Sequence, residues 1–264
     1  MDLHLTNKVV VLAASTDGLG LATAKQLLKE GAKIAVCGRD EKRNQAAHEL
    51  LIATADADHV LVKRCDVTNK EQVNLFIEAT AKKFGQIDGV ITNAGGPPSG
   101  TFETLDMDAY EKAFHLTLMS AVYFIKTVLP YLKKSDAASI LTITSRSAKA
   151  PIPNLFMSNI MRPAVIGLTK TLSQEFGSYS IRVNSILPGW TETERTLYLI
   201  EKRAEKLGIS VDECKASIIK DSPLKRMGKP EEFANAATFL VSPAASYING
   251  VMLLVDGGDY PGLG

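Results

Sequence analysis

The sequence predicts an α/β fold with a doubly wound parallel sheet, in a single domain over residues 1–264. Short runs of β-branched apolar residues alternate along the whole chain with segments of helical apolar spacing. This is the pattern of a parallel sheet with crossover helices. Neither a shift in composition nor an internal repeat divides the chain, and its length suffices for one large core. We therefore expect a three-layer α/β/α architecture.

The same alternation predicts each element in order. Apolar runs predict strands at residues 9–12, 33–37, 59–64, 89–93, 138–144, 181–187 and 251–255. Helical spacing predicts helices at residues 19–28, 41–55, 70–84, 106–134, 156–176 and 230–240. Gly31 and Gly85 mark helix ends, and Pro230 marks a helix start. Residues 190–222 are polar and weakly patterned, and we interpret them as a lid over a binding site.

The first strand leads through a glycine-containing turn into the first helix. The start of a helix offers free backbone N–H groups and the positive end of the helix dipole, which suits a phosphate. The candidate phosphate-binding residues are Ser15, Asp17, Gly18, Leu19 and Gly20. An ordinary strand-to-helix turn without a ligand is the alternative.

The second predicted strand runs into Arg39, at the point that faces the adenosine ribose in a doubly wound nucleotide-binding fold. An acidic residue there would accept a hydrogen bond from a free 2′-hydroxyl, whereas an arginine suits a 2′-phosphate. The sequence therefore favours NADP(H) over NAD(H), and a solvated arginine is the alternative. The Gly- and Pro-rich residues 94–100 predict a loop at the same edge of the sheet.

Composition limits the other classes of partner. The formal net charge is +1 and no basic cluster with interleaved aromatic residues is present, which argues against nucleic acid. Three widely spaced cysteines predict reduced thiols and, with no apolar signal segment, a cytoplasmic protein. No pair of cysteines has metal-ligand spacing, and no stretch approaches the about 18 apolar residues that a membrane span needs.

Several motifs, in order and at matching separations, resemble those of the short-chain dehydrogenase/reductase family. They are Asp66-Val67, Thr92-Asn93-Ala94-Gly95, Ile181-Arg182-Val183-Asn184 with Pro188-Gly189, Pro223 to Glu232, and Tyr247 to Gly258. The resemblance covers nearly the whole chain and is to a divergent member, similar to 3-oxoacyl-carrier-protein reductase-like proteins.

This resemblance implies a Rossmann-type sheet of seven strands, a nicotinamide cofactor and a homotetramer or homodimer. The cofactor contacts that it implies are Asp66 and Val67 at the adenine, Asn93, Ala94 and Gly95 after the fourth strand, and Pro188, Gly189 and Thr191 beside the nicotinamide. The glycine turn departs from the family pattern, because Ala14 stands where the family has a glycine. We expect the turn to fail if the φ angle of Ala14 is positive.

The active site departs further from the family pattern of an asparagine, a serine and Tyr-x-x-x-Lys. Ser145 matches the serine, while Ser158, Arg162 and His115 stand at the tyrosine, lysine and asparagine positions. Serine is a much weaker acid than tyrosine, and arginine is a poorer proton relay than lysine, although it can still hold a cofactor ribose. Pro163 predicts a kink or a restart in the helix that would re-aim both replacements.

Three functions stay open on this pattern. The first is an oxidoreductase for a carbonyl or alcohol substrate of modest size, in which Ser145 and Ser158 bind the carbonyl oxygen and Arg162 supplies positive charge. His115 or water would bring the proton. The second is a protein that binds NADP(H) without turnover, and the third is a structural partner in a mixed oligomer.

Overall fold

The computed structural model describes residues 1–220 and 222–263. Asp221, in the expected lid, and Gly264, at the end of the expected domain, lie outside the described residues. The strands are β1 (Val9–Leu12), β2 (Lys33–Gly38), β3 (Val60–Arg64), β4 (Gly89–Thr92), β5 (Ser139–Ile143), β6 (Arg182–Pro188) and β7 (Met252–Val255). The helices are α1 (Gly18–Lys29), α2 (Glu41–Ile52), α3 (Lys70–Phe84), α4 (Met107–Phe114), α5 (Ser120–Leu132), α6 (Phe156–Glu175), α7 (Glu194–Leu207), α8 (Val211–Ile219) and α9 (Pro230–Val241).

The described strands form one parallel sheet in the order β3-β2-β1-β4-β5-β6-β7. β1 pairs with β2 on one side and with β4 on the other, so the direction of winding reverses at this strand. The predicted doubly wound α/β class is therefore confirmed. Ligands of such sheets bind beyond the carboxyl ends of the strands at this reversal.

Both faces of the sheet are covered, which is why its strands are apolar at successive positions rather than at alternate ones. Val9 of β1 lies in one buried cluster with Phe124 of α5. Its neighbour Val10 lies in the cluster on the opposite face with Leu27 of α1 and Phe233 of α9. The two clusters fix β1 from above and below, and with it the turn that follows.

Two helices, α7 and α8, lie in the weakly patterned segment that we interpret from the sequence as a lid. Signals for both were present in the sequence. Thr193 caps α7 by accepting a hydrogen bond from the N–H group of Thr196, and Gly208 ends it at φ 66°. Ser210 and Glu213 form a capping box at the start of α8. The expected function of this segment as a lid stays a prediction.

The long helix before β5 is continuous and contains a π-helical segment, His115–Met119, between α4 and α5. The region Met107–Leu132 is long and apolar enough to span a membrane by length and composition, with a mean hydropathy of 1.3. The expectation that no stretch reaches this threshold is therefore wrong. Phe124, Val128 and Leu132 on one face of α5 lie in the core against the sheet, so the helix acts here as a core helix.

The motif around β6 has a structural role, which the hydrogen bonds of Arg182 and Asn184 show. The guanidinium of Arg182 is buried and donates hydrogen bonds to the carbonyl oxygens of Leu240 (2.8 Å), Val241 (3.1 Å) and Ser242 (2.9 Å) at the end of α9. Its burial lowers the pKa of Arg182 to about 10. The side chain of Asn184 bonds to the chain just before β7, so the motif attaches α9 and β7 to the sheet.

Candidate functional site

A crevice of about 720 Å³ lies beyond the carboxyl ends of the strands, at the reversal of winding. Most of the site residues predicted from the sequence line it: Asp17, Gly18, Leu19, Arg39, Asp66, Val67, Asn93, Ala94, Gly95, Ser145, Ser158, Arg162, Pro188, Gly189 and Thr191. Three predicted residues, Ser15, Gly20 and His115, do not line it.

The turn after β1 adopts the conformation that we expected an alanine to prevent. Ala14 has a φ angle of 44°, in the left-handed region. Its carbonyl oxygen accepts a hydrogen bond of 2.9 Å from Nδ2 of Asn93, which follows β4. The expectation that a positive φ at Ala14 breaks the turn is wrong, because this cross-strand bond helps to hold the strained peptide in place.

Helix α1 begins at the crevice and points its N-terminus into it. Asp17 caps the helix by accepting a hydrogen bond of 2.6 Å from the N–H group of Gly18. The N–H group of Leu19, one residue further on, has no acceptor within the helix because it belongs to the first turn. The centre of the crevice therefore offers a backbone donor and a helix dipole to an anion.

Ser15 and Gly20 support this turn from beneath instead of facing the crevice. Ser15 is fully buried, its N–H group donates to the carbonyl oxygen of Cys37, and its hydroxyl donates to that of Ala13. A Cβ on Gly20 would collide with the side chain of Ser15, so this glycine lets the helix pack closely on the turn. Ser15 and Gly20 therefore support the turn by packing and are not the phosphate contacts that the sequence predicted.

Arginines gather at the end of the crevice beside β2. Arg39 directly follows this strand and is exposed. Arg43 lies one helical turn further on, and its Nη1 is 3.1 Å from Oδ2 of Asp17. Arg43 was not predicted from the sequence, although its spacing of four residues from Arg39 was visible. Two guanidinium groups at this point suit a phosphate on the ribose.

The opposite end of the crevice holds Ser145, Ser158 and Arg162. Nη1 of Arg162 donates a hydrogen bond of 2.6 Å to the carbonyl oxygen of Thr144, the residue after β5. Nε of Arg162 is buried and has no hydrogen-bond partner among the described residues. Burial, and secondarily the positive charge of nearby Arg195, lower the pKa of Arg162 to about 10, so the group stays charged at neutral pH.

The two serines complete this end of the site. Ser145 caps a short turn, with its Oγ accepting a hydrogen bond of 3.1 Å from the N–H group of Ser147. Ser158 lies one turn before Arg162 on α6, so both side chains point the same way. The helix is unbroken from Phe156 to Glu175, so the restart predicted at Pro163 is not found. Arg162 nevertheless faces the sheet edge, as the bond to Thr144 shows.

His115 is placed on the surface, where its ring packs edge-on against Phe114. It does not line the crevice, which contradicts the expectation that His115 brings the proton. Two residues further along the same π-helical segment, Thr117 is buried, and its hydroxyl oxygen has no partner among the described residues. Thr117 is thus the buried residue of this segment, and no local sequence signal marked it.

The residues present fit a dinucleotide of the NADP type. The crevice has a helix N-terminus at its centre, arginines at the ribose end and an unpartnered buried guanidinium nitrogen at the other. Asp66, with its carboxylate held by Thr68 at 2.7 and 2.9 Å, forms the wall beside β3. Within residues 1–220 and 222–263, no group of three or more His, Cys, Asp or Glu side chains is placed to hold a metal ion.

Comparison with known proteins agrees with this arrangement. Residues 13–259 match the family described as enoyl-(acyl carrier protein) reductase. Tropinone reductase-like 3 from Erythroxylum coca is 34% identical over 253 residues, which cover 95% of this chain and 92% of that protein.

Two solved structures are similar over nearly their whole length. L-sorbose reductase from Gluconobacter frateurii, complexed with NADPH and L-sorbose, has a TM-score of 0.94 at 30% identity and full coverage of both chains. A short chain oxidoreductase from Pseudomonas aeruginosa PAO1, described as containing an atypical catalytic center, has a TM-score of 0.88 at 32% identity. That likeness covers 95% of this chain and 96% of the other, and the Pseudomonas protein has also been solved with NADPH bound.

The fold and the crevice define a doubly wound α/β protein with a ligand site at the switch point of its sheet. Matches over nearly the whole chain narrow this class further. The chain belongs to the short-chain dehydrogenase/reductase family.

Proposed function

We propose that this protein is an NADP(H)-dependent oxidoreductase that interconverts a carbonyl and an alcohol through a non-standard active site. The observation that carries the proposal is a crevice that has arginines at its ribose end and Ser145, Ser158 and Arg162 at the other. The Pseudomonas relative supports it, because a protein described as having an atypical catalytic center binds NADPH.

The cofactor would be held by groups along the crevice. The N–H group of Leu19 and the dipole of α1 suit the pyrophosphate, Arg39 and Arg43 suit a 2′-phosphate, and Asp66 faces the adenosine. When bound, the nicotinamide supplies or accepts the hydride. The arginines at the ribose end are the reason for preferring NADP(H) to NAD(H).

The residues at the other end would act on the substrate oxygen. The hydroxyl groups of Ser145 and Ser158 hold this oxygen by hydrogen bonds, and the charge of Arg162 stabilises the negative charge that develops on it. Serine is too weak an acid to be the net source of a proton. We therefore infer that Ser158 passes a proton to the oxygen and takes one from water. Most of the rate would come from positioning the reactants.

A second candidate is a protein that binds NADP(H) without turnover. The observation that favours it is the exposure of His115 outside the crevice, which leaves the site without the imidazole that was expected from the sequence to bring the proton. It differs from the first proposal only in the chemical step, so turnover distinguishes the two.

The experiment is a fluorescence titration with NADPH and NADH followed by a screen of carbonyl substrates. We expect NADPH to bind at least 10-fold tighter than NADH, and we expect turnover that Arg162→Ala reduces. Binding without turnover on any substrate supports the second candidate. Failure to bind either nucleotide contradicts both.

We also propose that the protein is cytoplasmic and forms a homotetramer or homodimer. The location rests on the cysteines, which are free and buried at Cys37, Cys65 and Cys214. The oligomer rests on the family resemblance, and light scattering coupled to size-exclusion chromatography tests it.

A further inference from the structure

The arginines that line the crevice differ in how their charges are balanced. Arg43 lies 3.1 Å from a carboxylate oxygen of Asp17, and Arg146 lies 3.0 Å from one of Asp259. Neither Arg162 nor Arg195 forms an ion pair with any described residue. Two uncompensated positive charges therefore remain in the crevice on the side of Ser145 and Ser158.

Arg162 and Arg195 reach this point from different elements. Arg162 extends from α6 to the residue after β5, where Nη1 bonds to the carbonyl oxygen of Thr144 and Nε stays buried without a described partner. Arg195 extends from the first turn of α7 to the loop after β4, where its Nη2 lies 3.3 Å from the place that a Cβ of Gly96 would take. β4 and β5 are neighbours in the sheet, so the two guanidinium groups share one end of the crevice.

Like charges held close together without a counter-charge repel, and an anion between them removes the repulsion. Burial lowers the pKa of Arg162, and the positive charge of nearby Arg195 adds a smaller contribution in the same direction. A guanidinium presents paired N–H groups that match the two oxygens of a carboxylate. Ile152, Leu155 and Leu199 line the same crevice and give an anionic ligand an apolar wall.

We propose that Arg162 and Arg195 together bind the carboxylate of the substrate, which makes the substrate a short oxo acid or the corresponding hydroxy acid. This rests on the proposed function, and it specifies the substrate class of the same site. A carboxylate one or two carbons from the carbonyl group lets Arg162 reach both the carboxylate and the carbonyl oxygen. The remaining chain of the substrate then lies against the apolar wall.

The experiment compares matched acids and amides as probes: pyruvate with pyruvamide, and acetoacetate with acetoacetamide. Dissociation constants are measured by calorimetry in the complex with NADP⁺, so the comparison does not depend on turnover. We expect each acid to bind about 10- to 100-fold tighter than its amide, the range typical of charged hydrogen bonds. In Arg195→Gln this ratio should fall by about 3- to 10-fold, because only Arg162 remains to bind the carboxylate, while the affinity for NADPH changes by less than about 2-fold. Arg203→Gln, on the exposed face of α7, is the matched control and should keep the native ratio.

Three results overturn the proposal. The first is equal binding of acid and amide, and the second is no binding of either. The third is an unchanged ratio of acid affinity to amide affinity in Arg195→Gln, together with a weaker affinity for NADPH. This result would mean that the two arginines bind the cofactor pyrophosphate. Failure of the proposed function is seen separately, as the absence of NADPH binding in the native protein.

Discussion

Nη1 of Arg162 donates a 2.6 Å hydrogen bond to the carbonyl oxygen of Thr144, and this bond turns the arginine toward the carboxyl edge of the sheet. It anchors one nitrogen of the guanidinium, while Nε is buried without a hydrogen-bond partner among the described residues. Because Thr144 directly precedes Ser145, the same bond fixes the distance between the charge and the serine. The arginine is thus positioned as a binding group before any ligand arrives.

Replacing Arg162 should remove most of the activity without removing cofactor binding. We expect Arg162→Ala to lower kcat by about 10²–10³-fold, since an electrostatic stabiliser of the substrate oxygen is lost. The affinity for NADPH should fall by less than about 5-fold, because the arginines and the helix N-terminus at the other end of the crevice remain. Steady-state kinetics and a fluorescence titration measure the two effects, with Arg203→Ala as the surface control. An equal loss in both quantities would show that Arg162 acts mainly on the cofactor.

Arg39 should determine the choice between the two nicotinamide cofactors. In Arg39→Ala we expect the dissociation constant for NADPH to rise by about 10- to 100-fold, because a charged hydrogen bond to the 2′-phosphate is lost. The constant for NADH should change by about 2-fold or less. Lys42→Ala, an exposed change three residues further on, is the control and should leave both constants unchanged. A parallel loss of both cofactors would contradict a 2′-phosphate contact.

Ala14→Gly should stabilise the protein. An alanine in the left-handed region destabilises the fold by about 1–2 kcal/mol. Glycine removes this strain but adds an entropic cost of about 0.5–1 kcal/mol. We expect the free energy of unfolding to rise by about 0.5–1 kcal/mol and Tm by about 1–4 °C. Ala22→Gly, inside α1, is the matched control and should lower stability by about 1 kcal/mol. Differential scanning calorimetry measures both, and a lower Tm for Ala14→Gly would argue against the positive φ of this residue.

The activity should fall as the pH rises through about 10, where Arg162 loses its charge. The pKa of this arginine is lower in the folded protein than in the unfolded chain, so its burial destabilises the fold at neutral pH and that cost is relieved above pH 10. Loss of activity in this range is therefore not explained by Arg162 weakening the fold. In Arg195→Gln the apparent pKa in kcat/KM should move upward, because a repelling charge is gone. An unchanged pH profile of kcat/KM would mean that a group other than Arg162 causes the loss of activity at high pH. Circular dichroism checks the fold at each pH.

The regular part of the fold was predictable because buried parallel strands leave continuous apolar runs in the sequence. β1 was predicted with its observed bounds, and so was α3. Helices α7 and α8 were missed because they bury few residues, such as Ile200 and Cys214, in a small separate cluster. Their caps at Thr193 and Ser210, with Gly208 between the two helices, were local signals in the sequence.

The site was predictable where it follows a strand end and not where it depends on distant elements. Arg39 was found because it directly follows β2 at the carboxyl edge, and Ser145 because it matches the family's serine just beyond β5. The positive φ of Ala14 is held in part by Asn93, 79 residues away, which no local pattern records. His115 was chosen as the match to the family's asparagine position, whereas the buried residue of the π-helical segment is Thr117. The approach of Arg195 to Arg162 depends on where α7 lies in space.

A crystal structure of the complex with NADPH tests the central claim most directly. The account predicts the pyrophosphate at the N-terminus of α1, the 2′-phosphate at Arg39 and Arg43, and the nicotinamide at the end of the crevice formed by Ser145, Ser158 and Arg162. A crevice filled by protein side chains, or a nicotinamide that lies away from Ser158 and Arg162, would contradict it.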